Sequence, residues 1–300
     1  KYILDEKQCA MEEFRQQFEG GYTWINGFLR NVERFGNREA LAEPESGKVW
    51  TYTQLNAEAN RFAHALLRSG LQKGDVVMAQ LHNCPEFVFA YLACHKTGLV
   101  FCPVNFRLSA KELSGCMDNS CPKVFLMESE NQENTDMALE WAEHAPEIIL
   151  STDSQSEYSY EKFADGCPET NPELPWDMYV FDETLRLFTS GTTGRQKSVC
   201  LTSINEVLSA HDVMINFPLS FTDRTMNTTP WFHRGGLHSG GITPTLYAGG
   251  TVVVQRKFQA EQTLDCIEQQ GLTFVIGVPN VLELMAEAQQ KQPRNLHSLH

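Results

Sequence analysis

Three hundred residues, 42% of them apolar and 21% charged, hold enough core for about two α/β units and exclude a disordered chain. Thirty-eight acidic residues against 24 basic ones give a formal charge of −14, which excludes broad nucleic-acid binding along a basic surface. The longest apolar run, Phe87 to Cys94, is well short of the roughly eighteen residues that span a bilayer, so no membrane span is expected.

The first ten residues mix acid and base and lead into no hydrophobic block, so they do not read as a secretion signal. Nine cysteines are scattered with no C-x-x-C pair, which suggests reduced thiols and a cytoplasmic address. His233 and His238 lie five apart, off one helical face, and no metal site is expected.

From residue 52 onward two hydrophobic periods alternate. Leu55, Ala59, Phe62, Ala63, Leu66 and Leu67 form the stripe of an amphipathic helix that Gly70 ends. Gly74-Asp75 turns the chain into the strand VVMAQLH, and Pro85 opens a helix over EFVFAYLACHKTG. Val100 to Val104 reads as the next strand, Ser109 with Glu112 as a capping box, and KVFLM at 123–127 as another buried strand. The stretch 151–182, rich in Ser, Glu, Asp and Pro, reads as a surface excursion between a first lobe, 1–182, and a second, 183–300. Alternation then resumes, with strands at 184–189, 199–201, 225–229, 251–254 and 273–276. Helices are expected at 204–215, 236–247, 260–269 and 279–290. Such alternation implies an α/β fold of doubly wound, mostly parallel sheets.

The most informative segment runs Thr189-Ser190-Gly191-Thr192-Thr193-Gly194-Arg195-Gln196-Lys197-Ser198, between two strands. Glycines let successive N–H groups converge, the hydroxyls add donors, and Lys197 adds a compact charge suited to phosphate oxygens. This composition predicts a phosphate cradle. It is not a Walker loop: Gln196 stands where G-x-x-x-x-G-K-[ST] requires glycine, and a strand follows instead of a helix.

The segment TSGTTGRQKSV resembles the signature loop T-S-G-[ST]-T-G-x-P-K-G-V of the adenylate-forming enzymes, with departures at Gln196 and Ser198. WTYTQLNAEANRFAHALLRSGLQKGDVV, FCPVNFRLSAKEL, LYAGGTVVV and FVIGVPNVL are similar to further parts of that superfamily, so the resemblance runs from about residue 22. Ser203 stands where the family usually has histidine and receives no catalytic role.

The likeness is greatest to acyl-CoA synthetases and covers the family's large N-terminal domain, incomplete at its C-terminal end. It implies that ATP and a small-molecule carboxylic acid form an acyl-adenylate, typically with Mg²⁺, before coenzyme A or a carrier-protein thiol displaces AMP. A non-catalytic, ligand-binding relative remains an alternative, and a homodimer remains open. By the same resemblance Thr189, Ser190, Gly191, Thr192, Thr193, Gly194 and Lys197 would hold the β- and γ-phosphates.

Pro230-Trp231-Phe232-His233 is similar to the family's next motif, which makes His233 the catalytic candidate, with loop capping as the other reading. Trp231, Arg234, Gly235, Gly236, Gly240 and Gly241 fall where the family builds its acyl pocket. Arg234 reads equally as a surface ion pair, and the glycines equally as close helix packing. The family's adenine motif, ribose-binding aspartate, hinge and adenylation lysine are expected beyond these residues, so this stretch alone is expected to turn over negligibly.

Overall fold

A computed structural model describes residues 10–189 and 197–300. The helix α1 (Trp24–Phe35) leads into an antiparallel pair, β1 (Glu39–Glu43) and β2 (Lys48–Thr51). Neither strand was expected, because β1 buries three consecutive residues and β2 is half-exposed, so neither alternates. The helix α2 (Tyr52–Arg68) starts on a capping box of Thr51 and Gln54 and buries the expected stripe.

Next come β3 (Val76–Gln80), α3 (Pro85–Thr97), β4 (Val100–Pro103), α4 (Ala110–Ser120), β5 (Val124–Met127), α5 (Gln132–Trp141) and β6 (Ile148–Ser151). Pro85 occupies the first helical turn of α3, and Gly98 ends it at φ 72°, a left-handed value that glycine adopts without strain. The strands β3, β4 and β5 are buried along their whole length, as continuous apolar runs in a parallel sheet should be.

After the short helix α6 (Tyr160–Phe163) the chain forms β7 (Glu183–Thr189), β8 (Lys197–Thr202), α7 (Ser203–Asn216) and β9 (Arg224–Asn227). It continues through α8 (Arg234–His238), α9 (Ile242–Ala248), β10 (Thr251–Val253), α10 (Ala260–Gln270), β11 (Phe274–Ile276) and α11 (Pro279–Lys291). The single helix expected at 236–247 is two, because Gly240 takes φ 72° and breaks the helical path between them.

The strands make two mostly parallel sheets, ordered β6-β5-β3-β4-β7-β8 and β11-β9-β10-β1-β2. Sheet membership does not follow a boundary at 182. The strands β7 and β8 complete the first sheet, while β1 and β2 join the second. Long-range pairing decides this: Phe101 of β4 pairs with Leu185, and Leu41 of β1 with Val252, contacts that no local pattern encodes. One continuous apolar core reaches both sheets, running from Leu41 and Val252 through Phe87, Tyr91 and Leu92 of α3 to Val77 and Leu185. Among the described residues no helix is long and apolar enough to cross a membrane.

The stretch 151–182 is held by Tyr160 and Phe163, which pack edge-on against Phe62, and by a set of polar ties. Asn60 and Arg68 of α2 donate to the carbonyls of Glu169 and Phe163 at 2.6 Å each, and Lys73 donates to Asp177 at 2.8 Å. Trp176 donates its indole N–H to the Thr97 carbonyl at 3.1 Å. Buried Lys96 donates to the side-chain oxygens of Asn56 (2.6 Å) and Asn171 (2.8 Å), so its bonded partners are neutral amides. Burial therefore lowers the Lys96 ammonium to about 7.

Because the unfolded chain keeps that proton up to the ordinary lysine range, it binds more protons than the folded chain between pH 7 and about 10, and stability rises with pH across that window. Denaturant unfolding is expected to show wild type gaining about 1 kcal/mol per pH unit relative to Lys96→Met between pH 7.5 and 10. A pH-independent difference would contradict the uncompensated burial of this lysine.

Candidate active site

Phosphate-cradle chemistry in the sequence falls at the ends of β7 and β8. The two strands pair antiparallel with Thr189 opposite Lys197, and the Thr189 hydroxyl donates to the Lys197 carbonyl at 3.4 Å. Thr189 and the exposed Lys197 are thus brought together, whereas Ser190, Gly191, Thr192, Thr193, Gly194 and Gln196 lie outside the described residues. Ser203 is buried, and its Oγ accepts the Trp24 N–H at 2.8 Å, which ties α7 to α1.

Beside this strand pair opens a cleft of about 580 Å³. Leu187, Val199, Leu201 and Leu208 form apolar wall, with Thr189, Asn205, Arg234 and His238 among its polar lining. A concave, mostly apolar space with a few polar groups is the usual form of a small-molecule site.

The loop 229–233 is clamped onto the first sheet. Asn83, just after β3, accepts the Trp231 N–H at 2.9 Å and donates to the Thr229 carbonyl at 3.3 Å. A ring series joins His82 to Phe106 (3.9 Å between centroids), Phe106 to Phe232 (5.5 Å) and Phe232 to His233 (4.0 Å). His233 caps the start of α8 through its backbone, with no side-chain cap bond, so its imidazole remains available. Partial burial lowers that imidazole below its ordinary range and favours the neutral ring at pH 7.

The expected pocket residues separate. Arg234 lines the cleft, and no ion pair of Arg234 occurs among the described residues. Trp231 is not part of the lining; it is 1% exposed and packs edge-on against Phe87 in the core. A Cβ on Gly236 would strike the Pro230 carbonyl, one on Gly241 the Gly236 carbonyl, and one on Gly240 the Phe274 ring, so these three permit close packing. A Cβ on Gly235 would meet only the Thr229 methyl, in ordinary contact at 4.0 Å.

Sequence reasoning missed the polar network beneath the cleft. Glu206, on the first turn of α7, is fully buried, and its carboxylate accepts His238 Nε2 at 2.6 Å, the Tyr91 hydroxyl at 2.5 Å and the Thr243 hydroxyl at 3.2 Å. Burial opposes the Glu206 charge, but His238, His95 and Tyr91 outweigh it and hold the carboxyl below its usual range. The only signal was an unassigned pair, a glutamate that resembles an ordinary helix-start acid and a histidine five residues from His233.

His82, Glu128 and Glu130 lie close enough to suggest a metal cluster. However, the Arg256 guanidinium bonds Glu128 and also reaches Glu130 at 3.0 Å, so a cation already answers these carboxylates. Burial opposes the Glu128 charge, yet His82 and Arg256 hold its carboxyl below the usual range.

A family model described as AMP-binding enzyme matches residues 28–300. The chain belongs to this family. It is 32% identical over 278 residues to the indoleacetate–CoA ligase of Aromatoleum aromaticum, covering 92% of this chain and 53% of that protein. It is 31% identical over 242 residues to the fatty acid–[acyl-carrier-protein] ligase ScoC of Streptomyces coeruleorubidus, covering 80% and 45%. The anthranilate CoA ligase AuaEII, solved with anthranoyl-AMP, shares the fold at a TM-score of 0.85 and 22% identity, covering 93% of this chain and 54% of that one. The chain thus spans about half the length of the relatives it matches.

Leaving Glu206 without its histidine exposes the strength of this buried pair. His238→Ala is expected to lower stability by about 3–5 kcal/mol in urea unfolding, against about 1–3 kcal/mol for Asn83→Ala, which removes hydrogen bonds of neutral groups. Equal small losses would show that the Glu206 charge is not held by His238.

Proposed function

We propose that this chain carries the phosphate-holding and acid-holding parts of an ATP-dependent acid–thiol ligase. The observation that carries the reading is family membership across residues 28–300, in a chain whose Thr189–Lys197 pair borders a mostly apolar cleft. In the reaction a substrate carboxylate attacks the α-phosphorus of ATP, releasing pyrophosphate and forming an acyl-adenylate. A thiol then attacks the acyl carbon and AMP leaves.

The protein's task in the first step is alignment and electrostatics. Thr189 and Lys197, with the residues between them, would hold the β- and γ-phosphates, where the lysine charge offsets the negative charge that builds on departing pyrophosphate. Mg²⁺ would supply further neutralisation there. A neutral His233 would donate one hydrogen bond to the attacking carboxylate without trapping it as a buried ion pair. The apolar wall of Leu187, Val199, Leu201 and Leu208 would take the body of the acid.

Coenzyme A is the proposed thiol. The similarity to ScoC favours a carrier-protein thiol as the second reading. A cytoplasmic address fits the buried Cys84 and Cys94, whose thiols burial pushes up into the unreactive range.

Acid-dependent exchange of labelled pyrophosphate into ATP, measured on the intact protein, tests the reading. Lys197→Ala is expected to lower exchange roughly 10²–10³-fold while leaving acid binding in place. Exchange that is undiminished in this variant would remove Lys197 from the phosphate site.

A further inference from the structure

We propose that His82 is a positioning residue: held by Glu128, its ring fixes Phe106, and through Phe106 and Phe232 it sets the direction of the His233 imidazole. This rests on the acid-activation reading above, in which His233 donates to the attacking carboxylate, and adds to it the group that aims the donor.

The topology brings the parts together. The strands β5, β3 and β4 are neighbours in the first sheet, and Glu128, His82 and Phe106 each follow the C-terminal end of one of them. Phe232 and His233 come from beyond the C-terminal end of β9, in the second sheet. These loops meet outside the carboxyl ends of strands, where open α/β sheets bind ligands.

The ring of His82 is held first. A carboxylate can only accept, so Glu128 Oε2 takes the Nδ1 proton of His82 at 2.6 Å and its backbone N–H at 3.3 Å. Backbone and ring are thus tied to one oxygen. Arg256 bonds Oε1 of the same carboxylate and reaches Glu130 at 3.0 Å, and Glu130 lies 3.4 Å from His82 Nδ1, so the carboxylate is itself held. Nδ1 carries a proton in either charge state of the imidazole, and the geometry does not depend on titration.

The order is then passed from ring to ring. His82 stacks on Phe106 with the planes 24° apart, Phe106 meets Phe232 edge-on at 83°, and Phe232 lies against His233 at 49°. Asn83 already pins the loop backbone at Thr229 and Trp231, but backbone bonds leave a side chain free to change rotamer. The His233 side chain makes no cap bond, and the ring it packs against is Phe232. A donor that must meet a reacting carboxylate has to be held to within about 10–20°, and this series supplies that restraint.

The test uses the intact protein with Phe106→Leu, His82→Gln and His82→Phe. The first breaks the ring series, the second keeps a donor for Glu128 without a ring, and the third restores a ring while Arg256 still bonds Glu128. In acid-dependent pyrophosphate exchange, kcat is expected to fall roughly ten- to a hundredfold in Phe106→Leu and His82→Gln, with KM for ATP within about twofold of wild type. His82→Phe is expected to recover most of that loss.

A second readout needs no turnover. The ring current of Phe232 displaces the imidazole proton resonances of His233, which are identified by their loss in His233→Ala. They are expected to move toward free-histidine positions in Phe106→Leu and His82→Gln and to return in His82→Phe. Absence of exchange with every acid in wild type would strike the activation reading alone, because the resonances still decide the positioning. Resonances that stay in place in the first two variants would overturn the inference, as would an unchanged kcat beside moved resonances or a loss confined to KM for ATP.

Discussion

A helix buried on every side organises this molecule. From Phe87 to Thr97 every residue of α3 is buried, so the helix has no solvent face and must be enclosed by partners all round. One contiguous core results, and the two sheets cannot be treated as independent bodies. The ties of the functional region start here: Phe87 meets Trp231 beside the His233 loop, Tyr91 bonds Glu206, and Lys96 bonds Asn171 of the long crossover.

The buried charges are met in three different ways, with different consequences. Among the described residues Lys96 bonds two amide oxygens and lies over the Phe28 ring, none of them an anion, so burial dominates and its ammonium is weakened. Glu206 gathers donors from α3, α8 and α9, which outweigh burial and preserve the carboxylate. Glu128 is answered by His82 and Arg256, and because Arg256 follows β10 this pair also joins the two sheets. A buried charge with neutral partners has its charged form weakened, whereas one met by several donors keeps it.

The candidate site is assembled from three stretches that are distant in sequence. The strands β7 and β8 bring Leu187, Thr189, Val199 and Leu201 to the cleft, α7 brings Asn205 and Leu208, and α8 brings Arg234 and His238, while Lys197 and His233 stand outside its lining. Close backbone packing at Gly236 and Gly241 lets α8 and α9 turn sharply against each other. Asn83 and the ring series from His82 then fix the loop against the first sheet.

Local chemistry determined much of this in advance. The capping box of Ser109 and Glu112, Pro85 at a helix start and the buried apolar strands were all legible, because each acts over a few residues and leaves a short pattern. Only the tertiary structure decided that β7 and β8 join the first sheet, that Trp231 fills core rather than pocket, and that Glu206 meets His238 across 32 residues of chain. Pairing across a sheet and burial between helices depend on which distant surfaces meet, and a glutamate on the first turn of a helix has the same local pattern whether water or a histidine lies beyond it.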